Sequence, residues 1–200
     1  MYTLIDFIPD DADAQQISIV QGRASAIACA RRAECSAFID HLLLPADAAM
    51  EAEFHAGRHR VRRHLPVRAI GLVSRKPTVL AHLSVRENIG LVEPRGAARR
   101  HFWQAVDAAL DETGLLADID PETEVASLEW HTQVEINFLQ MWLRQPECLL
   151  FDRVFEHDDG DALLHLPSLF RARFPLRAVC YLQQRGALPA ALGVTDTVHL

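Results

Sequence analysis

The segment that most restricts the fold is Glu147-Cys148-Leu149-Leu150-Phe151-Asp152, an unbroken apolar run that follows Pro146 and ends in a carboxylate. A strand with one wet face alternates apolar and polar residues. A strand apolar at every position is covered on both faces, as the central strands of parallel sheets are. Flanking segments supply the rest of such a sheet. Ala24-Ser25-Ala26-Ile27-Ala28-Cys29 is a small-residue strand that leads through Ala30-Arg31-Arg32-Ala33-Glu34 into a helix over 36–44, stopped before Pro45. Residues 69–73 and 178–182 read as further buried strands, and 197–200 as a last one.

Helical patterns fall between these strands. Ser84 is an N-cap with Glu87 at the capping-box position, opening a helix that contains Asn88. Residues 99–117 are amphipathic and end around Gly114, and 127–144 are apolar on more than one face. Helices over 162–170 and near 188–192 complete the set. Short β-type runs at 2–8 and 17–20, an acidic turn between them that holds Asp10, Asp11 and Asp13, and a hairpin over 51–64 around Gly57 form an antiparallel N-terminal portion. The alternation of strands and helices implies an α/β sandwich with a mainly parallel sheet. Residues 1–200 read as one domain without repeat or linker.

Composition excludes several chemistries. Of 20 basic residues only Lys76 is a lysine, and it follows Arg75, so no GxxxxGK phosphate loop exists. Glycine is scarce, nine in 200, which disfavours close backbone approach to a ligand. Residues 1–100 carry 14 basic and 11 acidic side chains and residues 101–200 carry 6 and 16, so neither half is basic enough for a nucleic-acid binder. The four cysteines, Cys29, Cys35, Cys148 and Cys180, form no CxxC pair and read as reduced, buried thiols. Without a basic n-region or an 18-residue apolar run, the expected location is cytoplasmic, with the inner face of the cell membrane reached only through a partner.

The order of these pieces resembles the ATP-binding subunit of ABC transporters over nearly the whole chain, which implies an α/β, P-loop-NTPase-like sandwich with a mainly parallel sheet, an N-terminal antiparallel β-subdomain and an inserted helical subdomain at about 80–145. Leu128-Glu129-Trp130-His131 stands at the family's LSGG signature, Pro146 precedes the apolar strand, Asp152-Arg153-Val154 replaces Asp-Glu-Pro, and Asp159 falls at the D-loop aspartate. Thr78–Ile89, with Ser84-Val85-Arg86-Glu87-Asn88-Ile89, resembles the family's "lTVxENI" wording after the Q-loop. Among subfamilies, the compact chain is most similar to the ATPases of bacterial lipid-trafficking and solvent-resistance transporters.

The resemblance implies a nucleotide site whose parts are replaced. At the phosphate loop stand Cys29-Ala30-Arg31-Arg32-Ala33-Glu34-Cys35-Ser36, with Glu34 turned toward the phosphates and Cys35 in place of the lysine. Ser36, at the magnesium-binding hydroxyl, and Asp152, at the Walker B magnesium ligand, are the residual nucleotide and magnesium positions. Ser74 replaces the Q-loop glutamine, Arg153 the glutamate that polarises water, and Gln184 the switch histidine. No catalytic residue and no resident cofactor or metal are therefore expected, and any ATP or magnesium binding would be weak. The function this implies is an inactive ABC-type subunit, structural or regulatory. It would pair with a competent ATPase subunit or a second copy of itself and dock on a transmembrane permease through residues 80–145. The alternative is a weak nucleotide sensor using Ser36, Asp152, Arg31 and Arg32.

Other features have plainer readings. The His55–His64 segment, with Arg58, Arg60, Arg62 and Arg63, reads as a solvated hairpin edge whose charges deter strand pairing. Asp152, Glu156, Asp158 and Asp159 read as a polar loop after a strand rather than a Mg²⁺ site. Trp130 and Trp142 read as core or subunit contacts on one helix. Phe7 or Tyr2, near the family's adenine-stacking aromatic, reads as a core strand residue.

Overall fold

The computed structural model describes residues 2–11, 14–44, 52–184 and 188–200. Asp13, Pro45 and Glu51 lie outside the described residues. Two sheets form. Strands β1 (Thr3–Pro9), β2 (Ile17–Val20), β4 (Ala52–Ala56) and β5 (His59–Arg63) make an antiparallel sheet in the order β2-β1-β5-β4. Strands β3 (Ala24–Ala28), β6 (Ile70–Ser74), β7 (Cys148–Asp152), β8 (Ala178–Gln183) and β9 (Asp196–His199) make a parallel sheet in the order β6-β7-β8-β3-β9. The helices are α1 (Arg32–Leu43), α2 (Val85–Gly90), α3 (Phe102–Thr113), α4 (Trp130–Arg144) and α5 (His165–Arg173).

The apolar run at 148–152 is buried at every position, near the middle of the parallel sheet, because each face meets its own core. Cys148 and Leu150 face the antiparallel sheet and α1, alongside Phe7, Phe38 and Val61. Leu149 and Phe151 face the opposite layer, packing with Phe138, Val179 and Tyr181 under α4 and α5. The period of two along a strand produces this division. Gly71 lets Pro146 lie against β6, since a Cβ there would sit 2.7 Å from the proline ring. Phe7 is a core residue, its ring 5.8 Å from Phe38, whereas Tyr2 is exposed.

Several sequence expectations are corrected. Helix α1 starts at Arg32, four residues before the expected start, because Glu34 reaches back to the Arg31 backbone N–H and supplies the cap. The 99–117 segment divides into a 3₁₀ turn over Gly96–His101 and α3, which ends on left-handed Gly114 as expected. The helix expected at 162–170 runs from His165 to Arg173 after a 3₁₀ turn at Gly160–Leu163. The hairpin is not wholly a solvated edge. Strand β5 is internal, and Arg63 is 1 % exposed, donating to the carbonyls of Leu42 and Leu44 at the end of α1. That guanidinium satisfies orphan carbonyls at the negative end of the helix dipole and ties α1 to the antiparallel sheet.

The thiols are corrected too. Cys29 and Cys35 form a disulfide, their Cα atoms 5.6 Å apart. The turn from β3 into α1 folds back within six residues, so the side chains meet at a distance that suits a disulfide. Cys148 and Cys180 are free and buried as expected. Burial pushes the Cys148 thiol up to about 12.

Candidate functional site: a cationic cavity at the carboxyl ends of the parallel strands

The passage from β3 into α1, residues 29 to 36, supplies its own anion. The Glu34 carboxylate accepts from the Arg31 backbone N–H at 2.9 Å, and from the Arg31 side chain through Nε at 2.9 Å and Nη2 at 2.8 Å. The Arg31 hydrogen bonds, side chain first and then backbone, hold the Glu34 carboxyl below its ordinary value. A carboxylate therefore engages the donors that begin the helix, and the Cys29–Cys35 bond closes the same turn. Ser36 is half-buried on the first turns of α1.

Asp152 ends β7 and is buried. Arg153 follows it at φ +53°, a left-handed conformation uncommon for a side chain of this size. It turns its guanidinium back on Asp152, with Nε–Oδ1 at 2.6 Å and Nη2–Oδ2 at 2.9 Å, while its backbone N–H donates to the Leu182 carbonyl at 2.9 Å. Those hydrogen bonds raise the Arg153 pKa above its ordinary value. Ser74, at the end of β6, donates its hydroxyl to Asp152 Oδ2 at 3.0 Å. Both carboxylate oxygens of Asp152 are thus taken by protein donors. Strand β8 separates β7 from β3, about 10 Å at two strand spacings.

Beside this pair lies a cavity of about 340 Å³ lined by Arg32, Ser74, Arg75, Lys76, Trp130, Arg153, Glu156, His157 and Gln184. Neither Ser36 nor Asp152 lines it. The wall is built from distant parts of the chain. Trp130, the first residue of α4, donates its indole N–H to the Arg75 carbonyl at 2.8 Å. Its ring stacks on His157 with centroids 3.7 Å apart and planes 8° from parallel. His157 Nδ1 accepts from the Asp159 backbone N–H at 3.2 Å, and Glu156 accepts from the backbone N–H of Gln184. Asn137 on α4 accepts from the Ser74 backbone N–H at 3.3 Å and donates to Thr78 at 3.1 Å.

Among the described residues, four cationic side chains and one carboxylate line this cavity, in a chain whose net charge is −7. Its chemistry is that of an anion receptor. Among the described residues no group of three or more His, Cys, Asp or Glu side chains is arranged to hold a metal ion. Glu34 lies at the head of α1, and Arg153 and Ser74 occupy the Asp152 carboxylate. The sequence placed Trp130 in the core or a subunit contact. The structure divides the two tryptophans, burying Trp142 at 5.9 Å from Phe138 and leaving Trp130 in the cavity wall. Sequence reasoning did not assemble the cavity. The signal was the Arg75-Lys76 pair just past the end of a buried parallel strand, where α/β sheets bind ligands.

No known family profile and no curated protein sequence matches the chain. Solved structures do. It is similar to CbiO1 from Clostridium perfringens, part of the ABC transporter complex CbiONQ, with TM-score 0.65 and 12 % identity over 92 % of this chain and 80 % of that one. It is similar to an ATP-binding subunit of an ABC transporter with TM-score 0.63 and 13 % identity, over 91 % and 80 % of the two chains. A bacterial Atm1-family ABC exporter with ATP bound gives TM-score 0.60 and 18 % identity, over 90 % of this chain and 34 % of that one. At these identities the likeness is one of architecture, and the chain has the α/β fold of the ATP-binding subunits of ABC transporters.

Proposed function

We propose that this chain is a catalytically inactive relative of the ABC-transporter ATP-binding subunits, serving a membrane transporter as a structural or regulatory subunit. The observation that carries the reading is the bidentate hold of Arg153 on Asp152. A cation stands where hydrolysis needs a base, and it consumes the carboxylate that a magnesium ion would need. Glu34 adds a negative charge where a triphosphate would have to approach. The chain then contributes shape, as a surface that a permease and a competent ATPase subunit grip, or that a second copy does.

The helical segment offers the concave apolar surface this role requires. Val85, Ile89, Trp103, Val106, Leu110 and Ile119 line a groove of about 100 Å³ on α2, α3 and the segment after α3, with Arg86 lying 4.3 Å over the Trp103 ring. No helix among the described residues is long and apolar enough to cross a membrane, so membrane contact in this reading comes through the permease. The test is co-purification of the full chain with a permease and ATPase subunit expressed from neighbouring reading frames. A stable complex whose ATPase activity survives Ser36→Ala in this chain is the expected result. A chain that stays alone and monomeric, or a complex that loses activity with Ser36→Ala, contradicts the reading.

A further inference from the structure

Each sheet has two outer strands, and their edges differ in how they are guarded. Strand β6 is buried or half-buried along its length and packs against α4. Strand β4 carries Glu53, which pairs with Arg60 at 3.0 Å and Arg62 at 3.4 Å, and its Phe54 stacks on His41 of α1. Strand β9 opens on Asp196, which pairs with Arg23 at 3.5 Å. Charge and cover of these kinds keep strand edges from pairing with other chains. Strand β2, Ile17-Ser18-Ile19-Val20, has neither. It holds no charged residue and no proline, and all but Ser18 are β-branched. Among the described residues its only strand partner is β1. Ile17, Ser18 and Val20 line a cavity of about 570 Å³ together with Thr195 and Thr197, and the charged side chains in that lining, Arg23 and Asp196, are already paired with each other.

We propose that β2 is a self-association edge: two copies of this chain pair their β2 strands antiparallel about a two-fold axis, each strand lying in the other copy's cavity, so that the two four-stranded sheets join into one. An edge presents a row of backbone N–H and C=O groups, which another strand satisfies, and a two-fold axis sets identical strands antiparallel. Self-pairing needs an edge that tolerates its own image. Two β4 edges would bring Glu53 toward Glu53, whereas two β2 edges oppose no charge at all. That matters in a chain of net charge −7, whose copies repel over most of their surface. The pairing uses neither Ser36 nor Asp152 and needs no permease, so it stands or falls separately from the proposed subunit role.

The test is sedimentation of the purified full chain at concentrations from about 5 to about 500 μM, in about 150 mM NaCl. A monomer–dimer equilibrium with Kd below about 100 μM is expected. Because the joined edges are uncharged, raising NaCl to about 500 mM leaves the dimer intact or tightens it. Val20→Lys, at a half-buried position, and Thr197→Lys, at an exposed one, each raise Kd at least about tenfold by guarding the cavity with a charge. His55→Lys, on the β4 edge of the same sheet, leaves it unchanged. Thermal melts confirm that the variants fold, and Thr197→Lys carries the test if Val20→Lys does not. A chain still monomeric at about 500 μM, a dimer undiminished by a folded lysine variant at either position, one equally weakened by His55→Lys, or one that dissociates as salt rises overturns the proposal.

Discussion

Arg153 closes on the carboxylate of Asp152, its immediate neighbour, through bonds of 2.6 and 2.9 Å, and Ser74 completes the shell at 3.0 Å. The pair is nearly dry, with side-chain exposures of 11 % and 5 %. Removing one partner strands a buried charge. Arg153→Ala is expected to lower unfolding free energy by about 3 kcal/mol in denaturant titration, and Asp152→Ala by a similar amount. Arg153→Glu sets two carboxylates side by side and loses at least as much stability. A variant that keeps wild-type stability would show that the contact contributes little.

Asn88 is fully buried and acts as a staple. Its side chain accepts from the Leu80 N–H at 2.7 Å and donates to the Leu80 and Ser84 carbonyls at 3.0 Å, while its own carbonyl accepts from Gln140 at 2.8 Å. Asn88→Ala orphans several backbone groups at once, so a loss of about 2 to 3 kcal/mol is expected. Hydrogen exchange should localise the loosening to residues 78–84.

The disulfide predicts a thiol inventory. In the native protein neither Cys148 nor Cys180 should react with a thiol reagent, since both are buried and their thiols are pushed upward. Unfolding without reductant should expose two thiols, and unfolding with it four. Reduction, or Cys29→Ser/Cys35→Ser, should cost about 2 kcal/mol for so short a loop. Four thiols in the unreduced, unfolded chain would contradict the pairing.

Acid should act on carboxylates of opposite character. For Asp6, burial pushes the carboxyl up, but hydrogen bonds from Ser18 and His64 outweigh it and hold it below its usual 3.8. Glu34 lies below its usual 4.5 for the reasons already given. Both stabilise the fold fully above those values and lose that contribution as pH falls through the lower folded ones. Glu135 on α4 is raised above 4.5 by burial, partly offset by His165 and His131. The folded state therefore holds that proton more tightly than the unfolded one, and ionised Glu135 weakens the fold above its raised value. Glu135→Gln should raise Tm at pH 7 and leave it unchanged at pH 3. Asp6→Asn should lower Tm at pH 7, by an amount that shrinks as pH falls below 3.8.

Much of the architecture was legible in the sequence because local signals carried it. The run at 148–152 could only be a doubly covered strand, and the Ser84–Glu87 capping box and the Gly114 stop appear where their residues put them. The start of α1 was hidden because Arg31 is a poor N-cap residue and the cap comes from Glu34 behind it. The Cys29–Cys35 bond depends on how the loop turns, which spacing alone does not determine. Ser36 and Asp152 were singled out by their place in the chain, and the sequence did not show that Arg153 and Ser74 would close on Asp152. The cavity gathers Arg32, Lys76, Trp130 and His157 across more than half the chain, and only the parallel sheet brings them together.

The central claim is that the site no longer receives nucleotide, and titration of the full chain with Mg-ATP in a calorimeter tests it most directly. The account predicts no saturable binding tighter than about 100 μM, roughly −5.5 kcal/mol. Tighter, magnesium-dependent binding that is lost on Asp152→Asn would contradict it.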